Sequence, residues 1–375
     1  MALSAGTRRT VACLLVGLGA LLIVMALMIP TYTVSKLAKT PLDLEITTVA
    51  NSQPGAESLV LDSKSLTSPE GAAKVDTNVP IISQRFLTVE EPSDATEMTI
   101  QAGQTLRRID KQGDTGLLSA IVDRVTIDRK TGMPVDKEPN GSIAVTVNKE
   151  GESVADPVHR TGLQYRFPIG TEKKTYPYFD LNARKTVDIN FVEETEINST
   201  KVYHFQQTIP ATNLWDVVQS PTNRLTLPAA KWGLEGDAPV TMTRYYTNVR
   251  DVWVEPQTGT VIKGAEQLHL YYAQNPGKVD VTALKSNIVF DENTVESQLS
   301  VAKESIDKLS LYGRIMPIAL GVLGAVALIA GVVLGLTGGS GSGSVPAGRG
   351  GPAPMGRPRG GDDAPTEQIN IKKGL

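Results

Sequence analysis

Residues 242–273 read MTRYYTNVRDVWVEPQTGTVIKGAEQLHLYYA, and they carry the clearest structural signal in the chain. On both sides of the Q-T-G, β-branched and aromatic residues alternate with polar ones, as they do in strands with one apolar face. Glu255 ends the first stretch, and Gly259 supplies the positive φ that a tight turn needs. The segment therefore predicts an antiparallel hairpin.

The same alternation recurs through most of the chain. It appears in SLVLDS, PIISQRFLTVEE, EMTIQ, AIVDRVTID, SIAVTV, TVDINFVEE and KVYHFQQTI, with Gly, Pro, Asn or Asp between the stretches. Few helical patterns separate these stretches, which favours antiparallel pairing over a parallel sheet. We predict a mainly β (α+β) fold: an elongated, strongly curved antiparallel sheet or a β-barrel-like domain with a few helices.

A short repeat links two parts of this pattern. Residues 125–135 read VTIDRKTGMPV and residues 252–262 read VWVEPQTGTVI. In each, a strand ends with an acidic residue, turns through x-x-Thr-Gly and gives way to a new strand. Two interpretations remain open: two similar hairpins that arose by chance, or a duplicated β-meander that forms two halves of one curved sheet.

Two apolar runs bracket the β-rich region. Residues 11–29 read VACLLVGLGALLIVMALMI and residues 315–336 read IMPIALGVLGAVALIAGVVLGL, without a charged side chain in either run. A helix rises about 1.5 Å per residue, so each run is long enough to cross a hydrocarbon core roughly 30 Å thick. Each run therefore predicts a transmembrane helix.

These runs divide the chain into five predicted parts. Residues 1–10 are a cytoplasmic N-terminus, 11–29 and 315–336 are the spans, 30–314 are an extracytoplasmic domain, and 337–375 are a disordered cytoplasmic tail rich in Gly, Ser, Pro and Arg. Arg8 and Arg9 before the first span are typical of an uncleaved anchor with a cytoplasmic N-terminus. The prediction is a bitopic hairpin in the inner membrane.

Residues 291–312 (DENTVESQLSVAKESIDKLSLY) predict a helix directly before the second span. Apolar residues recur there at helical spacing and form one stripe. The stripe fits a helix that packs on the sheet, a lid or plug over a cavity, or a seam for a partner helix.

The composition excludes several classes of site. The 375 residues carry a net charge of −3, which argues against a nucleic-acid-binding surface. The single cysteine, Cys13, lies in the first apolar run, so the β-rich region has no disulfide and no cysteine nucleophile. His159, His204 and His269 have no second ligand at metal spacing. We predict a protein that is not an enzyme and has no metal and no cofactor.

Residues 162–180 (GLQYRFPIGTEKKTYPYFD) are the richest segment in aromatic and basic side chains. Aromatic rings with polar tips beside cations suit a site where an apolar ligand meets a headgroup. The alternative is a packed corner between strands. The candidate lipid- or headgroup-binding residues are Tyr165, Arg166, Phe167, Lys173, Lys174, Tyr176, Tyr178 and Phe179, together with Trp215 and Trp232 from two loop-like segments.

With this segment, the VWVEPQTGTVIKG hairpin and the flanking spans, the chain resembles the actinobacterial porin PorA-like family of domains of unknown function (LmcA/PgfA-like envelope proteins). The resemblance covers roughly residues 11–336. It implies a periplasm-facing, β-barrel-like domain with a central cavity. It also implies a role in lipomannan and lipoarabinomannan maturation or in mycolate lipid trafficking.

Two functions are expected from the residues and the resemblance together. The first is a non-enzymatic protein of the cell envelope that binds lipid or lipoglycan precursors at the inner membrane. The alternative is a membrane scaffold that docks a mycolate exporter or a glycosyltransferase. A sensor that signals through the tail is a weaker third hypothesis.

Overall fold

A computed structural model of the chain describes residues 4–33, 38–69, 71–144 and 154–337. Its main feature is one antiparallel sheet of 15 strands that is not closed. Two long apolar helices and a few further helices accompany the sheet. The predicted mainly β fold, with an antiparallel sheet and few helices, is therefore confirmed.

Twelve of the strands form a continuous path in the order β8-β7-β6-β5-β4-β1-β15-β14-β13-β11-β10-β9. Off this path, β12 pairs with β13, β2 pairs with β15, and β3 pairs with β2. The strands are β1 Glu45–Ser52, β2 Leu59–Leu61, β3 Val75–Thr77, β4 Ile81–Glu90, β5 Glu97–Arg108, β6 Leu117–Asp128, β7 Gly141–Ala144, β8 Asp156–Pro157, β9 Tyr176–Asp180, β10 Lys185–Ile197, β11 Thr200–Asn213, β12 Arg224–Pro228, β13 Pro239–Glu255, β14 Thr260–Ala273 and β15 Val281–Phe290.

Short helical segments lie in the connections between strands. They are the α-helices Ser63–Thr67 and Leu214–Val217, and the 3₁₀ turns Gly113–Gly116, Pro221–Asn223 and Ala229–Trp232.

The predicted hairpin is formed by β13 and β14, and its turn is closed by a side chain. The carboxylate of Glu255 accepts hydrogen bonds from the amides of Gln257 (2.9 Å) and Thr258 (2.8 Å). In the related sequence after β6, Asp128 accepts from the amides of Lys130 (3.0 Å) and Thr131 (2.7 Å). The repeat is thus also a structural repeat at the level of the turn.

Both turns contact the same segment, residues 166–171. The amide of Phe167 donates to the carbonyl of Gly259 at 2.9 Å, and that of Ile169 donates to the carbonyl of Lys130 at 3.1 Å. A Cβ on Gly259 would lie 2.1 Å from the Phe167 carbonyl oxygen, so only glycine allows this approach. The two turns therefore fix the backbone that carries Arg166.

The sheet curls until its two edge strands come close together. Arg184, after β9, makes an ion pair of 3.0 Å with Asp156 on β8. Behind this contact, Phe179 packs with Ile121 and Ile143. The edges meet through side chains, and no backbone ladder joins them among the described residues.

A second gap lies between β1 and β15, which pair only over Ala50–Ser52. The helix Glu292–Ser310, here called the stalk helix, begins at this gap. The amide of Val49 donates to Oγ1 of Thr294 at 3.0 Å, and Asp291 donates its amide to the Val49 carbonyl at 3.0 Å. Leu299 and Ala302 of the apolar stripe pack against Val202 and Ile262. The stalk helix therefore both packs on the sheet and fills the gap.

The two apolar helices, Ala5–Met28 and Met316–Thr337, are long and apolar enough to cross a membrane, by length and composition. Each adjoins a π-helical turn, Ile29–Thr33 or Leu311–Ile315. They lie against each other so closely that a Cβ on Gly19 would stand 2.7 Å from the carbonyl oxygen of Gly324. Their predicted orientation stays a prediction, and the predicted tail lies outside the described residues from 338 onward.

Candidate functional site

The curl of the sheet encloses a cavity of about 410 Å³. This volume falls within the range of about 300–1,000 Å³ that is common for small-molecule sites. Strands on both sides of the β1–β15 gap, residues 164–169 and the inner face of the stalk helix form its walls. Its apolar lining residues are Leu44, Ile46, Leu87, Ile100, Ile288 and Phe290.

Arg250 is held by several polar groups at the cavity lining. Its guanidinium donates from Nη2 to Asp180 Oδ2 (2.9 Å), from Nε to Glu266 Oε1 (2.7 Å) and from Nη1 to Gln207 Oε1 (2.5 Å). Burial alone would lower the pKa of Arg250, but Glu266 and Asp180 outweigh it and raise that pKa well above its usual value. Each nitrogen of the Arg250 guanidinium donates one hydrogen bond, two of them to carboxylates, so this residue is a structural part of the cavity lining.

A second buried network holds Tyr165 in place. Arg160 and Asp123 form an ion pair in which both side chains are 1% exposed. The hydroxyl of Tyr165 donates to the same carboxylate. Burial raises the pKa of Asp123, although the Arg160 charge opposes this, and burial also raises the pKa of Tyr165 well above its usual value. Tyr165 therefore stays a protonated donor, and its ring is fixed at the cavity wall.

Arg85 and Arg166 also line the cavity, and neither has an ion-pair partner among the described residues. Arg85 donates from Nε (3.1 Å) and Nη2 (2.8 Å) to the amide oxygen of Gln104. Arg166 donates from Nη2 to the carbonyl of Thr258. Burial lowers the pKa of Arg166 to about 10, which leaves it charged at neutral pH.

The cavity rim carries two further basic side chains that bind carbonyl oxygens. Lys39 donates to the carbonyl of Ala95 at 2.7 Å. Arg129 donates to the carbonyls of Thr40 (2.8 Å) and Asp94 (2.9 Å). Lys39 follows the first apolar helix in the chain, so this rim belongs to the end of the β-rich region that connects to that helix.

The structure separates the predicted site residues into groups. Tyr165, Arg166, Tyr178 and Phe179 line the cavity. Phe167 and Tyr176 are buried in an aromatic cluster with Phe205, with the Phe167 and Phe205 ring centroids 4.8 Å apart. This second group matches the alternative of a packed corner.

The remaining predicted residues lie away from the cavity lining. Lys173 and Lys174 are exposed and pair with Glu194 (2.7 Å) and Glu172 (2.5 Å). The ring of Trp215 stands 5.6 Å from the Arg224 guanidinium, and that of Trp232 packs against Tyr272 at 5.5 Å. Whether any of the ten residues binds a ligand stays a prediction.

Sequence reasoning missed the interior charges on the strands. Arg85 lies between Ser83 and Leu87 on one face of β4, and both of these neighbours are buried. A charged residue at an inward position of an alternating strand was the available signal, because such a residue is rarely buried without a purpose. Glu266 on β14 and Arg250 on β13 are interior in the same way.

The histidines do not form a metal site in the part of the chain that the structure describes. No group of three or more His, Cys, Asp or Glu side chains there is arranged to hold a metal ion. Nε2 of His204 contacts Asp251 at 2.7 Å, and its ring stacks on Trp253 at 4.5 Å. Burial lowers the pKa of His269.

Comparison with known proteins identifies the family. The family model described as porin PorA matches residues 11–333. The chain belongs to the porin PorA family. A protein named porin PorA from Corynebacterium amycolatum is 34% identical over 381 residues, which cover 86% of this chain and 98% of the relative. Another of the same name, from Corynebacterium resistens, is 31% identical over 404 residues, covering 88% and 97%.

These findings confirm the resemblance and correct the expected function. The name of the family and of both relatives denotes a channel-forming membrane protein and not an enzyme. The prediction of lipid or lipoglycan binding, with a role in lipoglycan maturation or mycolate trafficking, is therefore wrong, and the scaffold alternative finds no support in these names. Together with the two apolar helices, the family makes this chain a membrane protein.

Proposed function

We propose that this protein is a non-enzymatic, membrane-anchored protein that binds a small water-soluble solute inside its curled sheet. The observation that carries the proposal is the cavity of about 410 Å³, whose lining combines apolar side chains with fixed hydrogen-bonding groups. A site of this kind orients a small molecule through a few polar contacts, while the apolar side chains exclude water.

The name of the relatives adds the context of solute passage across a membrane. Two close-packed helices leave no lumen at Gly19 and Gly324, where backbone atoms already lie in contact. Among the described residues no backbone ladder closes the sheet, which supports a solute site rather than a continuous pore. We therefore propose that this chain contributes the solute site, and that passage itself needs further copies or another protein.

The anchoring is part of the proposal. The two helices hold the chain in the inner membrane, both termini are cytoplasmic, and the β-rich region lies outside. The support is Arg8 and Arg9 before the first helix, because basic residues next to a span favour the cytoplasmic side. Labelling of single cysteines placed in exposed strands of intact cells tests this orientation.

The test of solute binding uses adjacent threonines on β1. Thr48 lines the cavity, whereas Thr47 is exposed on the other face of the same strand. The full-length protein is reconstituted in phosphatidylcholine nanodiscs, and binding of cinnamate and of its neutral analogue cinnamamide is measured by calorimetry. Thr48→Trp should abolish binding of both probes, and Thr47→Trp should leave it intact. Ile46→Trp, which fills the same wall, is the second variant in case Thr48→Trp does not fold.

Two results would contradict the proposal. One is that the wild-type protein binds neither probe. The other is that folded Thr48→Trp and Ile46→Trp proteins bind both probes as well as the wild type does. Conductance across planar bilayers is measured in parallel. Currents from the purified chain that persist in Thr48→Trp would favour pore formation by the chain itself.

A further inference from the structure

We propose that the cavity selects a small organic anion, and that Arg85 and Arg166 bind its carboxylate or phosphate group. This inference rests on the proposed solute-binding function and names the chemical class of the solute. It is carried by two guanidinium groups that line one cavity and have no ion-pair partner among the described residues.

Arg166 is the stronger of the two observations. Arg166 is half-buried, and a guanidinium withdrawn from water is costly unless a negative charge or a full set of acceptors compensates it. The side chain of Arg166 has one described hydrogen bond, to the carbonyl of Thr258, although a guanidinium has five N–H donors. Its remaining donors are therefore available to a bound group in the cavity that it lines.

The backbone around Arg166 is held rigidly by the two repeated turns. Phe167 and Ile169, which follow Arg166 in the chain, donate their amides to the carbonyls of Gly259 and Lys130. A Cβ on Gly132 would meet the carbonyl oxygen of Arg166 at 3.0 Å, so this turn also lies directly against the residue. A charge that is placed by two separate turns before a ligand arrives lowers the ordering cost of binding.

Arg85 supplies the second donor group from β4. The amide oxygen of Gln104 fixes it in orientation, and its guanidinium carbon stands 5.8 Å from the centre of the Tyr165 ring. That ring belongs to the residue directly before Arg166. An anion near Tyr165 therefore has both guanidinium groups as candidate partners, and paired donors on one planar anion bind more strongly than a single one.

The charged side chains of the cavity lining favour an anion. The basic ones are Lys39, Arg85, Arg129, Arg166, Arg250 and Lys308, and the acidic ones are Asp251 and Glu266. Arg250 is compensated by its ion pairs with Glu266 and Asp180. The lining therefore carries an excess of positive charge, which attracts an anion and repels a cation.

The apolar side chains of the lining indicate what the uncharged part of the ligand is. Leu44, Ile46 and Leu87 line the same cavity as the two arginines, so a compact apolar or aromatic body fits beside the anionic group. The chemistry alone does not separate carboxylates from phosphate monoesters. Cinnamate is therefore the carboxylate probe and phenyl phosphate the phosphate-monoester probe, and cinnamamide is the uncharged reference.

The experiment compares affinities in full-length protein reconstituted in phosphatidylcholine nanodiscs. Wild type should bind cinnamate or phenyl phosphate at least about tenfold more tightly than cinnamamide, since hydrogen bonds to a charged group are stronger than those between neutral groups. Arg85→Gln and Arg166→Gln should each weaken anion binding about tenfold or more and leave cinnamamide unchanged. Arg166→Lys, which keeps the charge, should restore part of the loss.

The matched control is Arg107→Gln. Arg107 lies on β5 and, like Arg166, donates to a backbone carbonyl, that of Gly113 at 2.8 Å, but it does not line the cavity. Equal affinity for anions and cinnamamide, or an anion preference that survives both arginine variants, would overturn the inference while leaving the solute site intact. If the wild-type protein binds none of the three probes, the proposed function itself is contradicted.

Discussion

The amide of Val49 donates a hydrogen bond to the side-chain oxygen of Thr294, and this contact joins β1 to the first turn of the stalk helix across the gap in the sheet. Thr294 is 4% exposed, so its hydroxyl is shielded from water. The stalk helix thereby replaces the missing ladder between β1 and β15 at this point.

Thr294→Val should loosen this closure. The valine keeps the shape of the side chain but leaves the buried Val49 amide without its acceptor, which costs about 1–3 kcal/mol in the free energy of unfolding. Hydrogen exchange at Val49 should become faster than in the wild type. Thr47→Val, on the exposed face of β1, is the control and should change neither quantity. Unchanged exchange at Val49 would show that the contact does not hold the gap closed.

The close approach of the two membrane helices predicts that an added methyl group destabilises the protein at the contact but not beside it. A Cβ on Gly19 would lie 2.7 Å from the Gly324 carbonyl oxygen, so Gly19→Ala should force the helices apart and cost about 1–3 kcal/mol, as overpacking does. Gly17 has no atom within 4 Å of its Cβ position, so Gly17→Ala is the matched control. Thermal unfolding in detergent should separate the two variants, and equal melting temperatures would contradict the packing.

Glu266 predicts a dependence of stability on pH. Burial alone would raise its pKa, but the charges of Arg250 and Arg85 outweigh burial and lower it. Because the pKa in the folded state lies below the unfolded value of about 4.3, ionised Glu266 stabilises the fold above that pH. The contribution is lost as the pH falls through the lowered value.

The measurement is urea unfolding of wild type and Glu266→Gln between pH 7 and pH 3. Glu266→Gln should be less stable at pH 7, because Arg250 loses one of its two carboxylates. The difference should shrink below about pH 4, where the wild-type carboxylate also becomes neutral. A constant difference across this range would mean that the ionised form of Glu266 contributes nothing.

Gly259→Ala should disturb the segment that carries Arg166. The new methyl group would collide with the Phe167 carbonyl oxygen, and Gly259 has a φ of 72°, which disfavours any side chain. Gly236→Ala is the control, since its φ is 89° but no atom lies within 4 Å of its Cβ position. We expect Gly236→Ala to cost about 1 kcal/mol from backbone strain alone and Gly259→Ala clearly more. If chemical unfolding shows the same loss of unfolding free energy in both variants, the contact with the Phe167 carbonyl oxygen does not contribute to the loss.

Much of the fold follows from the alternating pattern, for a simple physical reason. Side chains on a strand point alternately to two faces, so a strand such as that in residues 242–255 can be predicted from its own residues. The strand order is different, because pairing β1 with both β4 and β15 depends on residues far apart in the chain. The gap that the stalk helix fills was therefore not predictable from any one segment.

The candidate site was only partly predictable for a related reason. The segment of residues 162–180 attracted attention through its composition, but its aromatic side chains separate between a packed cluster and the cavity once the sheet curls. Arg85 and Glu266 lie in strands that read as ordinary alternating sequence. Their shared location arises from the curl, which brings distant strands to one cavity.

One helical rod runs from the stalk helix through Leu311–Ile315 to the end of the second membrane helix, over residues Glu292–Thr337. Bilayers thicker or thinner than an apolar helix change its tilt. Since the upper part of this rod is itself a wall of the cavity, a change of tilt displaces that wall. We therefore expect the occupancy of the cavity to respond to the thickness of the surrounding bilayer. Lipid composition would then regulate the binding of a soluble ligand.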